Sequence, residues 1–247
     1  MTLAEIATLL GLNLVATLFV MLVLGVWAVR SDRIGLIDGA WPLLLAGLAA
    51  VTFALAEGDP VRKGLLLWLV ALWALPQACR RLAPAARRAA DARYAGVAAI
   101  LAGRPGWTPG FAALVLFFLP QGALAWLTAL PVQLGQVDFL PPVGWIGWSG
   151  AMLAVLGIGL EGLGSLKTVT HRGTAAAETA SPAQLRRWLL RPDYLGDLAV
   201  WWGLFLIAAE TGPGQASVVG PIFLTFLMAH RVRTERTENP RRVSDGG

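Results

Sequence analysis

Charged and aromatic side chains gather within residues 185–203, at the start of an apolar segment in a chain where charge is scarce. A helix that begins at Pro192 would suit proline's preference for a first helical position. Steps of three or four then place a polar and aromatic stripe on one face, formed by Tyr194, Asp197, Trp201 and Phe205. The opposite stripe is smooth enough for a neighbouring helix to approach closely and consists of Gly196, Ala199 and Gly203. The sequence predicts one face that meets a ligand and one that packs.

The arginines just before this helix are suited to binding phosphate groups, because guanidinium forms paired hydrogen bonds to phosphate oxygens. They are Arg186, Arg187 and Arg191. Basic residues are also expected wherever a membrane helix starts on the cytoplasmic side. Both interpretations remain open from the residues alone.

Two further acids, Asp38 and Glu161, fall in or near apolar spans, where a carboxylate is costly and usually has a purpose. Either could donate a proton, or bond a substrate carbonyl. The alternative is a structural bond to a tryptophan N–H or to an arginine. Two amides, Gln121 and Gln133, are expected to bond between helices.

Metal and disulfide chemistry find little support. The single cysteine, Cys79, excludes an internal disulfide, and we expect it to be buried as a small apolar side chain. His171 and His230 are the only histidines, so we expect no metal site. We find no glycine-rich phosphate loop.

Composition indicates an integral membrane protein, with 56% hydrophobic and 14% charged residues and a mean hydropathy of +0.63. We predict an all-α fold in which residues 1–230 form one domain of about seven transmembrane helices and 231–247 form a charged cytoplasmic tail. The predicted spans are 3–29, 34–56, 62–79, 109–130, 143–165, 192–209 and 216–230. A separate helix at about 84–102 is expected to lie in the membrane interface.

The basic residues set the expected orientation. Alternate loops carry eighteen of the twenty lysines and arginines, which predicts an amino terminus outside and a carboxyl terminus in the cytoplasm. The net charge of +5 is split among these loops, so we expect contact with lipid headgroups and not with nucleic acid. The alanine, arginine and glycine bias suggests a bacterial cytoplasmic membrane. The oligomeric state is left open.

Several short pieces, in this order and spacing, resemble the bacterial DUF1295 membrane proteins, relatives of steroid 5-alpha-reductases and more distantly of isoprenylcysteine methyltransferases. The resemblance covers about residues 30–230. The pieces are Ile37-Asp38 with Trp41, Asp91-Ala-Arg93-Tyr94, Gln121-Gly-Ala-Leu-Ala-Trp126, Leu130-Pro-Val-Gln133, Glu161, and Pro192-Asp-Tyr194-Leu-Gly196-Asp197 leading into Trp201-Trp202-Gly203.

The resemblance implies a membrane oxidoreductase that uses NADPH to reduce a conjugated carbonyl in a hydrophobic, lipid- or steroid-like substrate. It implies catalytic roles for Asp38, Glu161 and Tyr194. The residues it implies for cofactor binding are Arg187, Arg191, Asp193, Tyr194, Gly196 and Asp197.

The chain departs from the family's usual Arg-His-Pro-Asn-Tyr-Phe-Gly-Glu motif, with Leu190, Arg191 and Asp193 in place of arginine, histidine and asparagine. A lost cation and a gained anion disfavour a phosphate-bearing cofactor. The usual Arg-Pro-Gly-Tyr element after the last helix is also replaced, by residues 231–236. These departures support an alternative, a non-catalytic member that binds lipid or partners another membrane protein.

Overall fold

A computed structural model describes the backbone over residues 1–101, 108–170 and 192–238, and every regular element in these ranges is helical. Side chains are described for the same ranges except 98–101, Pro109, 163–170, 192–193 and 231–238. The helices are α1 Leu3–Arg30, α2 Leu36–Leu55, α3 Pro60–Leu82, α4 Pro84–Leu101, α5 Pro109–Ala113, α6 Leu119–Thr128, α7 Leu130–Leu134, α8 Trp145–Thr170, α9 Pro192–Ala208, α10 Gly212–Ala216 and α11 Val219–Glu238. A π-helical segment, Leu114–Phe118, joins α5 to α6.

Within the described ranges, six stretches are long and apolar enough to cross a membrane, so the predicted polytopic all-α class is confirmed. They are Leu3–Arg30, Leu36–Leu55, Pro60–Leu82, Gly110–Thr128, Trp145–Gly162 and Gly212–His230. The predicted sixth span corresponds to α9, whose 17 described residues end at Ala208, next to the predicted 209. Its length of about 26 Å is shorter than a hydrocarbon core of about 30 Å. The orientation of the termini stays a prediction.

The span predicted at 109–130 is interrupted by the π-helical segment Leu114–Phe118, which lies just before Pro120. Proline has no N–H and cannot continue the hydrogen-bond ladder, so the preceding turn widens. Gly122 follows, and a Cβ added there would lie 3.2 Å from Met21 of α1. The irregular turn is therefore packed against a neighbouring helix, where its freed groups can be satisfied.

Helices α8 and α9 touch backbone to backbone along the smooth stripe of α9. A Cβ added at Gly203 would lie 2.5 Å from the carbonyl oxygen of Gly150, and one at Gly157 would lie 2.6 Å from that of Gly196. Close approach of this kind requires glycine on both helices. The predicted packing role of Gly196 and Gly203 is confirmed.

Three tryptophans from three helices form the centre of the main core. The ring centroids of Trp41 on α2 and Trp73 on α3 are 6.5 Å apart, and those of Trp73 and Trp201 on α9 are 5.5 Å apart, both edge to face. Edge-to-face packing is favourable for aromatic rings. Each of these tryptophans carries an indole N–H into the core. Such a donor needs an acceptor, so polar side chains are required inside the bundle.

A buried ion pair joins the start of α3 to the segment that follows α9, and the same acid bonds the start of α8. Arg62 Nη2 lies 3.6 Å from Glu210 Oε2, and both side chains are buried. Glu210 also accepts hydrogen bonds from the backbone N–H groups of Gly144 and Gly147 at the start of α8. A carboxylate is favoured at this end of a helix because of the helix dipole.

Candidate functional site

Two carboxyl groups from different helices share one indole donor. Trp73 Nε1 lies 3.0 Å from Glu161 Oε1 of α8 and 2.9 Å from Asp197 Oδ1 of α9. The carboxyl groups of Glu161 and Asp197 also interact directly. The shared indole N–H therefore brings an acid of α8 and an acid of α9 together on α3.

Glu161 is buried and receives further donors from α3. The amide of Gln77 donates to Glu161 Oε2, and Arg80 Nη2 lies 3.8 Å from the same oxygen. Arg80 is 39% exposed, whereas Glu161 is 5% exposed. The charge of the more exposed Arg80 thus offsets the cost of burying the Glu161 carboxyl. An acid within a membrane span requires such a partner.

Gly196 provides the room for Glu161. A Cβ added at Gly196 would collide with Glu161 Cγ. The glycine expected to bind a cofactor therefore has a packing role here.

A cavity of about 280 Å³ opens beside this cluster. Its wall combines apolar side chains with two acids, one amide, three indoles, an arginine and a histidine. The lining residues are Ile37, Asp38, Trp41, Trp73, Arg81, Gln121, Leu124, Asp197, Trp201, Leu224, Leu227, Met228 and His230. Binding sites for small apolar ligands typically have such a wall, with a few polar groups that fix orientation.

Two of the tryptophans that line the cavity have a buried indole N–H without a hydrogen-bond partner, Trp41 and Trp201. Trp201 has no solvent exposure. A buried donor left without an acceptor costs about 1–3 kcal/mol. An acceptor oxygen on a molecule in the cavity would recover that free energy.

Asp38 belongs to a second polar cluster, between α2 and α4. Its carboxylate accepts from Arg93 Nη2 at 2.6 Å and from the Tyr94 hydroxyl at 2.7 Å. Burial, followed by the bond to Asp38, raises the pKa of Tyr94 to about 12. Nearby, Asp91 Oδ1 accepts from Gly35 N at 2.6 Å. These bonds fasten α4, outside the candidate spans, to the start of α2.

The structure brings together only part of the predicted site. Asp38 and Asp197 line the same cavity, and Glu161 lies behind Asp197. Tyr194 is half-buried in the first turns of α9 and is not part of the lining. Of the predicted stripe, Asp197 and Trp201 meet the cavity, while Phe205 packs on Trp202 with ring centroids 5.8 Å apart.

Several predicted cofactor residues cannot be placed. Arg187 and Arg191 lie outside the described residues, as does the side chain of Asp193. The same holds for Leu190, and for the side chains of 231–236. Their roles stay predictions.

Sequence reasoning missed the contribution of α3. Trp73, Gln77 and Arg80 recur at steps of four and three, which places them on one helix face. The sequence did carry a signal for this contribution, because Gln77 and Arg80 are polar side chains on the same face of an apolar helix as Trp73.

Cys79 also lies on α3 but is exposed, so the expectation of a buried thiol is wrong. It falls in the last turns of α3, off the face that meets the bundle.

Among the described residues, no group of three or more histidines, cysteines or acids is arranged to hold a metal ion. Cations suited to phosphate do occur near the cavity. Arg81 is part of the wall, and Arg80 and Arg93 reach Glu161 and Asp38 from its neighbourhood. The described part of the site thus combines an apolar chamber with cationic groups.

Fold and site together define a polytopic helical membrane protein with a small chamber enclosed by the bundle. The family model described as "Protein of unknown function (DUF1295)" matches residues 14–244, and the chain belongs to this family. Comparison with curated proteins and with solved structures gave no match.

Proposed function

We propose that the protein is an NADPH-dependent reductase of a conjugated carbonyl in a hydrophobic, lipid- or steroid-like molecule. The observation that carries the proposal is the pair of unpartnered indole donors, Trp41 and Trp201, on the wall of a mainly apolar cavity that also presents Asp197. A ligand for this wall needs an apolar body and an acceptor oxygen, which an enone or enal provides.

The apolar body would pack on the side chains of α6 and α11 that line the cavity, among them Leu124, Leu224 and Met228. The carbonyl oxygen would accept from an indole N–H. Reduction of an enone at its β carbon places negative charge on this oxygen. Fixed donors in a site that excludes water stabilise such charge strongly.

A proton is required to complete the reduction, and Asp197 is the carboxyl best placed to hold it. Its Oδ1 is fixed by Trp73 Nε1 at 2.9 Å, and Glu161 lies beside it. Glu161 would then be a positioning residue, because Trp73, Gln77 and Arg80 surround it. Asp38 also lines the cavity, but Arg93 and Tyr94 already bond its carboxylate.

NADPH, when bound, supplies the hydride. The cavity of about 280 Å³ lies at the small end of ligand sites, so it suits one end of a dinucleotide and not the whole molecule. Arg81 on the wall, with the exposed Arg80 and Arg93, has the chemistry to hold phosphates outside the chamber. The predicted Arg187 and Arg191 would add to these cations.

The alternative is a non-catalytic protein that binds a lipid or a membrane partner through the same bundle. It is favoured by the fact that Asp38 and Glu161 both have structural partners, an arginine in each case and a tryptophan N–H for Glu161. Under this alternative the cavity binds its apolar ligand without NADPH.

The two functions separate in a binding experiment on protein in lipid nanodiscs. Calorimetry would follow NADPH, and NADPH oxidation would then be followed after addition of hydrophobic enones. We expect NADPH binding and enone-dependent oxidation in the wild type, with oxidation reduced at least tenfold in Trp201→Phe, about the effect of losing one hydrogen bond to developing charge. Enone binding without any NADPH binding would favour the alternative.

Trp202→Phe is the matched control. Trp202 is adjacent in sequence and donates to Thr225 Oγ1 at 3.2 Å, but it is not part of the cavity wall. It should lose stability and keep its turnover. Equal losses in both variants would place the effect in packing and not in the ligand site.

A further inference from the structure

A second recess lies between α1 and α2, away from the cavity described above. Its volume is about 320 Å³, and its wall is apolar apart from two residues of α1, Asn13 and Thr17. Leu43 and Val51 on its rim are about two-fifths exposed, so in a membrane the recess meets lipid. Its volume is roughly twice that of a cavity that holds benzene.

The hydrogen bonds around Asn13 determine which of its side-chain atoms is left without a partner. Asn13 Nδ2 donates to Thr52 Oγ1 at 2.9 Å and to Gln133 Oε1 at 3.0 Å. Thr52 donates its own proton to Leu48 O, and Gln133 Nε2 donates to Trp126 O, so both must accept from Asn13. The amide cannot be flipped. The remaining atom, Asn13 Oδ1, is buried and has no partner.

Thr17 lies one helical turn further along the same face of α1. Its hydroxyl is also buried without a partner, and the residue is 2% exposed. Asn13 has no exposure at all. Two residues of the wall thus carry an unpaired acceptor and an unpaired hydroxyl one turn apart, and each costs free energy while unpaired in apolar surroundings.

These two groups select the chemistry of the ligand. A hydrocarbon chain would satisfy neither, and a carbonyl oxygen could accept from Thr17 but could not donate to Asn13 Oδ1. A hydroxyl does both, because it is donor and acceptor at once. We propose that the recess binds a membrane-dissolved alcohol, an apolar molecule with one hydroxyl held between Asn13 and Thr17. This site does not depend on the proposed reductase function.

Photolabelling in phosphatidylcholine vesicles tests the proposal with dodecanol that carries a diazirine, and with its methyl ether. The ether keeps the chain and one acceptor but has no proton for Asn13 Oδ1. We expect saturable labelling of α1 and α2 by the alcohol, and labelling by the ether at least about fivefold weaker, the effect of one unsatisfied buried acceptor. Equal labelling by both probes, or labelling that does not saturate, would overturn the proposal and leave a water molecule as the partner of Asn13.

Two variants localise the label. Thr17→Val removes the hydroxyl at nearly constant volume and leaves the bonds of Asn13 to Thr52 and Gln133 untouched, so we expect about fivefold weaker labelling. Gly47→Leu fills the recess, because Gly47 lines it and an added Cβ meets nothing within 4 Å. It should abolish the label.

Gly11→Leu is the control for the glycine variant. An added Cβ at Gly11 also meets nothing within 4 Å, and this residue of α1 is exposed and not part of the wall. Its labelling should equal that of the wild type. Wild-type labelling in both Thr17→Val and Gly47→Leu would show that the alcohol binds elsewhere and would contradict the proposal.

Discussion

Trp73 Nε1 on α3 lies 2.9 Å from Asp197 Oδ1 on α9. The same N–H also lies 3.0 Å from Glu161 Oε1 on α8, so one indole joins three helices through two carboxyl groups. Asp197 faces the cavity and Glu161 does not. This division suggests a chemical role for the first acid and a positioning role for the second.

Replacement of Glu161 by leucine should destabilise the bundle. The change leaves Gln77 without its buried acceptor and removes one of the two acceptors of Trp73. We expect a loss of about 1–3 kcal/mol in the free energy of unfolding, measured by denaturation in mixed micelles. Glu161→Gln is the control, since it keeps one oxygen acceptor and should lose less. A leucine variant as stable as the wild type would refute the buried network.

Alanine substitutions at glycines should separate contact positions from open ones. Gly203→Ala would bring a Cβ to 2.5 Å from Gly150 O, whereas a Cβ at Gly159 of α8 meets nothing within 4 Å. We expect Gly203→Ala to lower the thermal midpoint, because α8 and α9 must move apart. Gly159→Ala should be neutral or raise it slightly, since alanine favours helix by up to about 1 kcal/mol. Equal effects at both positions would argue against backbone contact.

Tyr94 should ionise only in strongly alkaline solution. Burial and the bond to Asp38 raise its pKa to about 12, above the ordinary 10.0. Because the folded protein binds this proton more tightly than the unfolded chain, the stabilisation is full below pH 10 and is lost as the pH rises toward 12.

An absorbance titration of the phenolate tests this prediction. The chain has only two tyrosines, so the difference between wild type and Tyr94→Phe isolates Tyr94. In Tyr94→Phe, the free energy of unfolding should no longer decrease between the ordinary and the raised pKa of Tyr94. Ionisation of Tyr94 at its ordinary pKa would show that its hydroxyl does not bond Asp38.

The hydrophobic pattern was sufficient to predict the all-helical membrane fold and most helix positions. Apolar runs and glycine stripes are local features, which is why the close approach of a neighbouring helix to Gly203 could be predicted. The carboxyl end of α9 was predicted to within one residue, since the apolar run continues to 209 and the helix ends at Ala208.

The site was less predictable, because its contacts join residues far apart in sequence. Nothing local to Glu161 indicates that Trp73 and Gln77 are its donors, or that Gly196 makes room for it. Family resemblance identified Asp38 and Asp197, which do line one cavity. It could not distinguish a carboxyl that faces the chamber from one that holds helices together.

Hydride transfer tests the central claim most directly. NADPH deuterated at the transferable position would be incubated with the protein in nanodiscs and a panel of hydrophobic enones, and the products analysed by mass spectrometry. The proposed function predicts one deuterium at the β carbon of a saturated product with the wild type, and at least tenfold less product with Asp197→Ala. No deuterated product from any enone, with calorimetry showing no NADPH binding, would contradict the reductase function and favour a lipid-binding protein.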